Sequence, residues 1–198
     1  MNQNNNLDTS IERLVSLLDL EDIEKNIFRG ESQDIGSPQV FGGQVLGQAL
    51  MAASRTVVDR NVHSLHAYFL RRGDFEAPIV YEVDRARDGG SFSNRRVIAV
   101  QHVEQIFNMT SSFQVPEDGL EHQSAMPNVP PPEELEDLVD LIKPEWIEQL
   151  PLRIRRMLTR ERPFEVKPVE TPHFLINEVK DPIKHSWIRA KGSMSNDI

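Results

Sequence analysis

The 198-residue chain carries a net charge of −9, with 38% hydrophobic and 27% charged residues, a composition that supports a packed core and excludes wholesale disorder. The acidic balance argues against nucleic acid as a partner, because phosphate binding needs a basic face. There is no cysteine, which excludes a disulfide framework, a thiolate zinc site and a cysteine nucleophile.

No targeting or membrane segment is recognisable in the sequence. Residues 1–6 are polar, whereas a secretory signal begins with a charged and then an apolar stretch. No apolar run approaches the roughly 20 residues that span a bilayer, and the last four residues are not a peroxisomal Ser-Lys-Leu address. We therefore expect a cytoplasmic protein without a membrane span.

The first predicted helix begins at a capping box. This helix is predicted over Thr9–Leu20. Thr9 and Glu12 have the spacing at which each side chain bonds the other's backbone N–H, and apolar residues recur at helical spacing up to Leu18. The second predicted helix, Phe41–Thr56, contains no charge from residue 42 to 53 and is small or apolar nearly all round. Such a helix is expected to be buried on most of its circumference.

Four strands are expected to follow, at His63–Arg71, Pro78–Ala86, Ser91–Gln101 and Gln105–Gln114. The Asp-Gly-Gly sequence at residues 88–90 is typical of a tight reversal. One apolar helix followed by an antiparallel meander predicts an α+β protein in which the sheet wraps around the helix, the hotdog fold.

Proline placement predicts where this first domain ends. Only Pro38 and Pro78 precede residue 115, whereas seven of the thirteen prolines fall between Pro116 and Pro151. Because proline interrupts regular structure, residues 1–114 are predicted to form a compact domain and residues 115–160 a connection along the surface.

Two further helices are predicted in this connection. Residues 133–142 have an acidic amphipathic pattern, and residues 153–162 contain five arginines. We interpret both segments as solvated helices, with phosphate binding by the arginines as the alternative. Beyond them, Phe164–Val169 and His185–Lys191 are predicted to be strands.

Several blocks of the sequence, in order and with sensible spacing, resemble the opening of the acyl-CoA thioesterase II family. They are residues 20–24 (LEDIE), 28–30 (FRG), 39–49 (QVFGGQVLGQA), 63–74 (HSLHAYFLRRGD) and 88–97 (DGGSFSNRRV). The similarity continues through residues 162–170 (RPFEVKPVE) to 187–192 (WIRAKG), so it covers nearly the whole chain.

This resemblance implies a tandem of two hotdog domains that hydrolyses fatty acyl-CoA to free fatty acid and coenzyme A, without a metal or organic cofactor. Residues 1–114 would be the N-terminal hotdog domain, 115–160 a linker with helices, and 161–198 the beginning of a second, truncated hotdog domain. The family positions the attacking water with an Asp, a Thr and a Gln of the second repeat. Those positions would lie beyond Ile198, so the catalytic residues are unknown and the chain alone is expected to be inactive or impaired.

The predicted second helix is a candidate for binding the substrate. It contains no Asp or Glu, so it is not expected to be the catalytic helix. The free N–H groups of Gly42, Gly43 and Gln44 at its N-terminus, reinforced by the helix dipole, could hold a carbonyl oxygen or an anion. The alternative is that the glycines only allow close packing of the helix.

Four arginines form the strongest local positive cluster: Arg71, Arg72, Arg95 and Arg96. Arginine suits bidentate contact with phosphate, and we expect Arg71, Arg95 and Arg96 to bind substrate. Because Arg95 and Arg96 point to opposite faces of one strand, only one of them can reach a given groove. Charge pairing with nearby aspartates is the alternative role. Ser91 and Phe92, beside the Asp-Gly-Gly turn, complete the predicted substrate-binding set.

Two other functions stay open. His63 is a weak catalytic candidate for an enoyl-CoA hydratase, although a structural histidine bonded to backbone is the expected role. A non-catalytic hotdog module that binds acyl-CoA or associates with a partner half is the second alternative. Open strand edges in an incomplete second repeat predict a homo-oligomer or association through that edge.

Overall fold

The computed structural model describes residues 9–172, 179 and 181–193, and this part of the chain contains four α-helices and eight β-strands. The helices are α1 (Ser10–Leu18), α2 (Gly42–Ser54), α3 (Pro144–Gln149) and α4 (Leu152–Thr159). The strands are β1 (Glu21–Glu24), β2 (Ile27–Gly30), β3 (Asn61–Phe69), β4 (Ile79–Asp88), β5 (Phe92–Gln101), β6 (Glu104–Gln114), β7 (Phe164–Pro168) and β8 (Ser186–Ala190).

The chain divides into two compact units. The sheet unit comprises Val15–Leu120, and the flanking unit comprises the described residues up to Leu14 and those between Glu121 and residue 193. The domain boundaries expected from the sequence stay a prediction, and parts of them lie outside the described residues, namely residues 1–8, 173–178, 180 and 194–198. Among the described residues, none of the helices could span a lipid bilayer.

The sheet unit is built on a six-stranded antiparallel sheet in the order β1-β2-β4-β5-β6-β3. In β5 every second residue from Ser93 to Gln101 is buried, which is the pattern of a strand with one covered face. The helix α2 covers that face and packs against five of the six strands. The core of the unit therefore lies between α2 and the sheet.

The helix α2 confirms the prediction that it is buried on most of its surface. None of residues 44–54 is exposed, and Ala49, Ala52 and Ala53 are completely buried. These small side chains let the helix backbone approach the sheet closely. Gly42 and Gly43 are its first two helical residues rather than part of a preceding turn.

The predicted four-stranded meander is only partly correct. The strands β4, β5 and β6 follow one another as expected, but β3 pairs with β6 at the far edge of the sheet and not with β4. The connection from Leu70 to Pro78 is too long for a tight hairpin, which would have joined β3 directly to β4. β3 is consequently an edge strand.

The two tight reversals of the meander differ in backbone conformation. Neither Gly89 nor Gly90 has a positive φ, although the turn closes through a 2.8 Å bond from the Gly89 N–H to the Phe92 carbonyl. The left-handed conformation occurs instead at His102 (φ 50°) and Val103 (φ 66°) between β5 and β6. The Asp-Gly-Gly pattern thus predicted the location of a reversal but not its backbone conformation.

In the flanking unit, the predicted acidic helix at residues 133–142 is wrong. A short 3-10 helix at Pro132–Glu134 and separate turns occupy this segment. The Leu138 N–H donates to the Val166 carbonyl at 2.8 Å, and the Asp137 carboxylate accepts a 2.9 Å bond from the Val139 N–H. The acidic segment runs alongside β7, because its polar groups form hydrogen bonds with that strand and with one another. A continuous helix would prevent these hydrogen bonds.

Three of the remaining features of the flanking unit agree with the sequence, whereas the short helix α3 was not predicted. The capping box is confirmed, because the Thr9 N–H donates to Glu12 at 2.6 Å and the Glu12 N–H donates to the Thr9 hydroxyl at 3.3 Å. The strands β7 and β8 pair as a two-stranded antiparallel sheet near their predicted bounds. The arginine-rich helix is α4, which ends at Thr159 and leaves two of the five arginines outside it.

Candidate functional site

The predicted site residues that line pockets fall at three separate places in the sheet unit. Gly42 and Arg71 line the α2 pocket, of about 430 Å³, formed by the start of α2, the end of β3 and the start of β6. Ser91 and Phe92 line the turn pocket, of about 520 Å³, beside the reversal between β4 and β5. Arg96 lines the outer pocket, of about 580 Å³, on the sheet face that α2 does not cover. The sequence did not predict this separation.

The α2 pocket has an apolar wall made by two paired strands. Phe69 lies opposite Phe107 in the ladder between β3 and β6, and the centroids of their rings are 5.0 Å apart. Phe107 is completely buried, whereas 58% of Phe69 is exposed. A Cβ atom at Gly42 would lie 3.1 Å from the Phe69 ring, so the missing side chain allows this ring to reach the helix. The wall therefore offers an accessible aromatic face beside the N-terminus of α2.

The rim of the α2 pocket is cationic. Arg71 donates to the Gln105 carbonyl at 2.8 Å, and its Nε lies 3.4 Å from a Glu104 carboxylate oxygen. Arg72 also lines the pocket and is exposed. In a chain of net charge −9, two adjacent arginines create a local positive field that the overall charge does not provide.

Gln44 contributes to the fold around the pocket rather than to its lining. Its side chain is buried, donates to the Glu31 carbonyl at 3.0 Å, and accepts a 3.3 Å bond from the Gln33 N–H. Its backbone N–H donates to the Phe41 carbonyl at 3.0 Å. Of the three N–H groups suggested for ligand binding, the first two helical residues are the remaining candidates, because no intrahelical carbonyl precedes them.

Arg95 is an interior structural residue, which contradicts its predicted role in substrate binding. Its side chain is completely buried. Its five N–H groups are all used, because they donate to both oxygens of Thr56, to the carbonyls of Arg87 and Asn94, and to the Asp88 carboxylate. The guanidinium therefore ties the end of α2 to β4 and β5 and has no donor left for a ligand.

Asp88 is the charged partner of this buried arginine. The hydrogen bond from Arg95 is the main reason that the pKa of Asp88 is lowered to about 2, and bonds from the Ser93 hydroxyl and from Arg85 contribute in the same direction. The carboxylate thus stays ionised at neutral pH. The aspartate pairing that the sequence left as an alternative is present for Arg95 and also for Arg96, which binds Asp84 at 2.7 Å.

His63 contacts two residues that line the turn pocket, Phe92 and Ser112, but does not line it itself. Its Nε2 lies 2.8 Å from the Ser112 hydroxyl, and its ring forms a T-shaped pair with Phe92 at a centroid distance of 5.7 Å. The expected bond to backbone is therefore replaced by a bond to a side chain. Among the described residues no carboxylate pairs with His63, so the geometry does not support the acid-assisted hydratase mechanism.

A buried polar cluster under α2 was not predicted from the sequence. Gln48 is completely buried, donates to the carbonyls of Leu17 (2.7 Å) and Glu31 (2.9 Å), and accepts a 2.8 Å bond from the Tyr81 hydroxyl. Burial raises the pKa of Tyr81, so its hydroxyl remains a donor. Glutamines four residues apart on an uncharged helix were the available sign of this cluster, since i and i+4 share a face.

Known proteins resemble this chain over most of its length. Residues 29–114 match a family model described as the acyl-CoA thioesterase N-terminal domain. The chain is 45% identical to the Acyl-CoA thioesterase 2 of Haemophilus influenzae over 192 residues, which are 95% of this chain and 66% of that protein. A crystal structure of an acyl-CoA thioesterase II, TesB2 from Mycobacterium marinum, is similar with a TM-score of 0.69 and 39% identity, covering 93% of this chain and 62% of that one.

A further solved structure identifies the fold. A protein of unknown function with a hotdog fold from Alicyclobacillus acidocaldarius has a TM-score of 0.71 at 22% identity, covering 90% of this chain and 62% of that one. The predicted α+β hotdog fold is therefore confirmed. The chain belongs to the acyl-CoA thioesterase II family, and it spans about two thirds or less of the length of these relatives.

Proposed function

We propose that this chain is the substrate-holding part of an acyl-CoA thioesterase, which hydrolyses fatty acyl-CoA to free fatty acid and coenzyme A in cytoplasmic lipid metabolism. The observation that carries the proposal is the 45% identity, over 95% of the chain, to a protein named Acyl-CoA thioesterase 2. The proposal concerns the whole enzyme, because the relatives are longer than this chain.

The α2 pocket supports this substrate class. Fatty acyl-CoA joins an apolar chain to a polyanionic nucleotide, so its site needs an apolar wall next to concentrated positive charge. The exposed Phe69 ring and the Arg71–Arg72 rim supply that combination. The turn pocket with Ser91 and Phe92, and Arg96 on the outer face, are more distant candidates for contact with the long nucleotide portion.

Thioester hydrolysis needs more than a binding surface. A water molecule must lose a proton to a base as its oxygen adds to the carbonyl carbon, donors must stabilise the oxyanion, and the C–S bond must break with release of the thiol. Since α2 carries no carboxylate, we assign water activation to the part of the relatives that this chain does not span. Gly42 and Gly43 would supply backbone donors but no base.

Hydrolysis of palmitoyl-CoA tests whether substrate binding and water activation lie in different parts of the enzyme. We expect steady release of free thiol from a version extended to the full length of the relatives. We expect no release above background from the 198-residue chain, because the proposal assigns water activation to the part that it does not span. Equal rates in the two versions would show that the short chain contains the catalytic residues. Absence of thiol release from the extended version, if it is folded, would refute the thioesterase proposal.

The edge strand β3 favours a second, non-catalytic function in association. Among the strands that the structure describes, β3 is paired on one side only, and several of its apolar side chains are exposed, including Tyr68 at 59%. An unpaired, apolar edge is a template for pairing with another strand. In the flanking unit β8 also carries an exposed apolar residue, Ile188 at 68%, which is the edge that the sequence suggested. We propose self-association through one of these strands.

Matched lysine substitutions distinguish the two edges. We expect Tyr68→Lys to convert a concentration-dependent oligomer into a monomer, because a charge on an edge strand opposes pairing, while Ile188→Lys leaves the oligomer unchanged. Light scattering after size exclusion gives the mass of each variant. The reverse result would assign association to β8, and a monomeric parent chain at all concentrations would exclude both edges.

A further inference from the structure

We infer that Arg72 is the residue of the α2 pocket that contacts a phosphate group of the substrate, and that Arg71 holds the pocket rim in place. This inference rests on the proposed acyl-CoA substrate and assigns one subsite within it. Phosphate recognition needs a guanidinium whose N–H groups are accessible and not already committed to the protein.

The four clustered arginines differ in how many of their side-chain N–H groups already bond to other residues of the protein. Arg95 uses all five N–H groups inside the protein, and Arg96 is paired with an aspartate on the other face of the sheet. Arg71 is bound to a backbone carbonyl and approaches a glutamate. Arg72 is exposed, lines the α2 pocket and has no polar partner within the described part of the chain. Its guanidinium is therefore the most available of the four.

The backbone on both sides of Arg72 is anchored. The N–H groups of Leu70 and Arg71 both donate to the Ile106 carbonyl, at 2.9 and 3.1 Å. On the other side, the Gly73 carbonyl accepts a 3.0 Å bond from the Val40 N–H. A Cβ atom at Gly73 would lie 3.1 Å from the Val40 Cβ, so the two segments are in close contact. This anchoring fixes the Cα of residue 72 at the rim and reduces the entropy lost when its side chain binds.

The apolar wall of the α2 pocket, next to Arg72, indicates which kind of phosphate compound binds there. Phe69 presents an exposed aromatic face directly before this loop, and the space beside it continues to the start of α2. A free phosphate ion would use the arginine alone, whereas a phosphate ester with a slender, largely aliphatic arm would also cover the ring. Coenzyme A has this chemistry, since its phosphates are joined to an amide-containing chain.

Calorimetric titration of the 198-residue chain with free coenzyme A tests the inference. We expect Arg72→Gln to weaken binding by about tenfold, as the loss of one charge-assisted contact predicts, and to reduce the dependence of affinity on salt. Arg29→Gln is the matched control, because Arg29 is a half-exposed, ion-paired arginine on β2 that lines none of the three pockets. We expect this variant to bind within about twofold of the parent chain.

Comparison of two ligands shows which phosphate group of coenzyme A contacts Arg72. The outcomes also test this inference separately from the proposed function. Equal weakening for coenzyme A and 3′-dephospho-coenzyme A assigns Arg72 to the diphosphate, whereas weakening for coenzyme A alone assigns it to the 3′-phosphate. Either result supports the inference. Equal affinities of the Arg72 and Arg29 variants, or no binding by the parent chain, would overturn it. The thioesterase proposal is decided separately by thiol release from the extended version.

Discussion

Replacement of Arg95 by methionine is expected to lower the free energy of unfolding by about 4 kcal/mol, in the range observed when one partner of a buried charge network is removed. Methionine fills much of the space but donates no hydrogen bond. The carbonyls of Thr56, Arg87 and Asn94 would lose the donors that now hold them together at the end of α2. Chemical denaturation measures the change, and the thermal midpoint should fall by roughly 10 °C for a chain of this size.

The adjacent residue provides the control for this prediction. Arg96→Met removes an arginine from the same strand, but its side chain is 64% exposed and makes one ion pair. We expect a loss of less than about 1 kcal/mol. Arg95→Lys should be nearly as harmful as methionine, because an ammonium group cannot reproduce the planar set of five donors. Similar unfolding midpoints for the Arg95 and Arg96 variants would show that the buried network is not needed for stability.

Substitution of Gly30 by alanine is expected to destabilise the sheet unit by about 3 kcal/mol, which combines overpacking with the loss of a buried hydrogen bond. The added Cβ would lie 2.7–2.8 Å from three atoms of the Gln48 amide. That amide cannot move away easily, because Leu17, Glu31 and Tyr81 hold it in place. The free energy of unfolding of this variant is the quantity to measure.

A double-mutant cycle identifies the cause of the Gly30 effect. Gln48→Ala alone should also be destabilising, since it leaves the buried Tyr81 hydroxyl without its acceptor. The double variant should be less destabilised than the sum of the single variants, because the alanine at position 30 no longer meets the amide. Strict additivity would contradict steric exclusion by Gln48 and indicate that Gly30 acts through the backbone of β2.

Local sequence patterns predicted most helices and strands of the fold, but not β1 or α3. The absence of charge in α2 indicated its burial, and the Thr9–Glu12 spacing identified the capping box, because both patterns depend on neighbouring residues. The position of β3 could not be read in this way. Its pairing with β6 depends on which distant strand is available at the sheet edge, and hydrophobic alternation is the same for either partner. The acidic segment 133–142 was mistaken for a helix because contacts with β7 override its helical period.

The candidate site was predicted less completely than the fold. Strand alternation correctly placed Arg95 and Arg96 on opposite faces, but it could not show which face is covered by α2. The buried arginine was therefore included among the surface candidates. Arg72 was left out of the predicted binding set, because sequence alone does not show that Arg71 is committed to the Gln105 carbonyl. Whether the N–H groups of an arginine are available depends on the tertiary structure, and this availability distinguishes Arg72 from Arg71.

The pairing of β3 with β6 also affects the order in which the sheet can form. Leu65 lies opposite Ser111, so the chain that contains β4 and β5 must be synthesised before β3 and β6 can pair. Closing this long loop costs more conformational entropy than forming the hairpins within it, and it is therefore slower. A nascent chain emerges with β3 well before β6. During synthesis β3 is therefore not yet paired with β6. A chaperone or a neighbouring chain can contact the apolar side chains of β3 in this period.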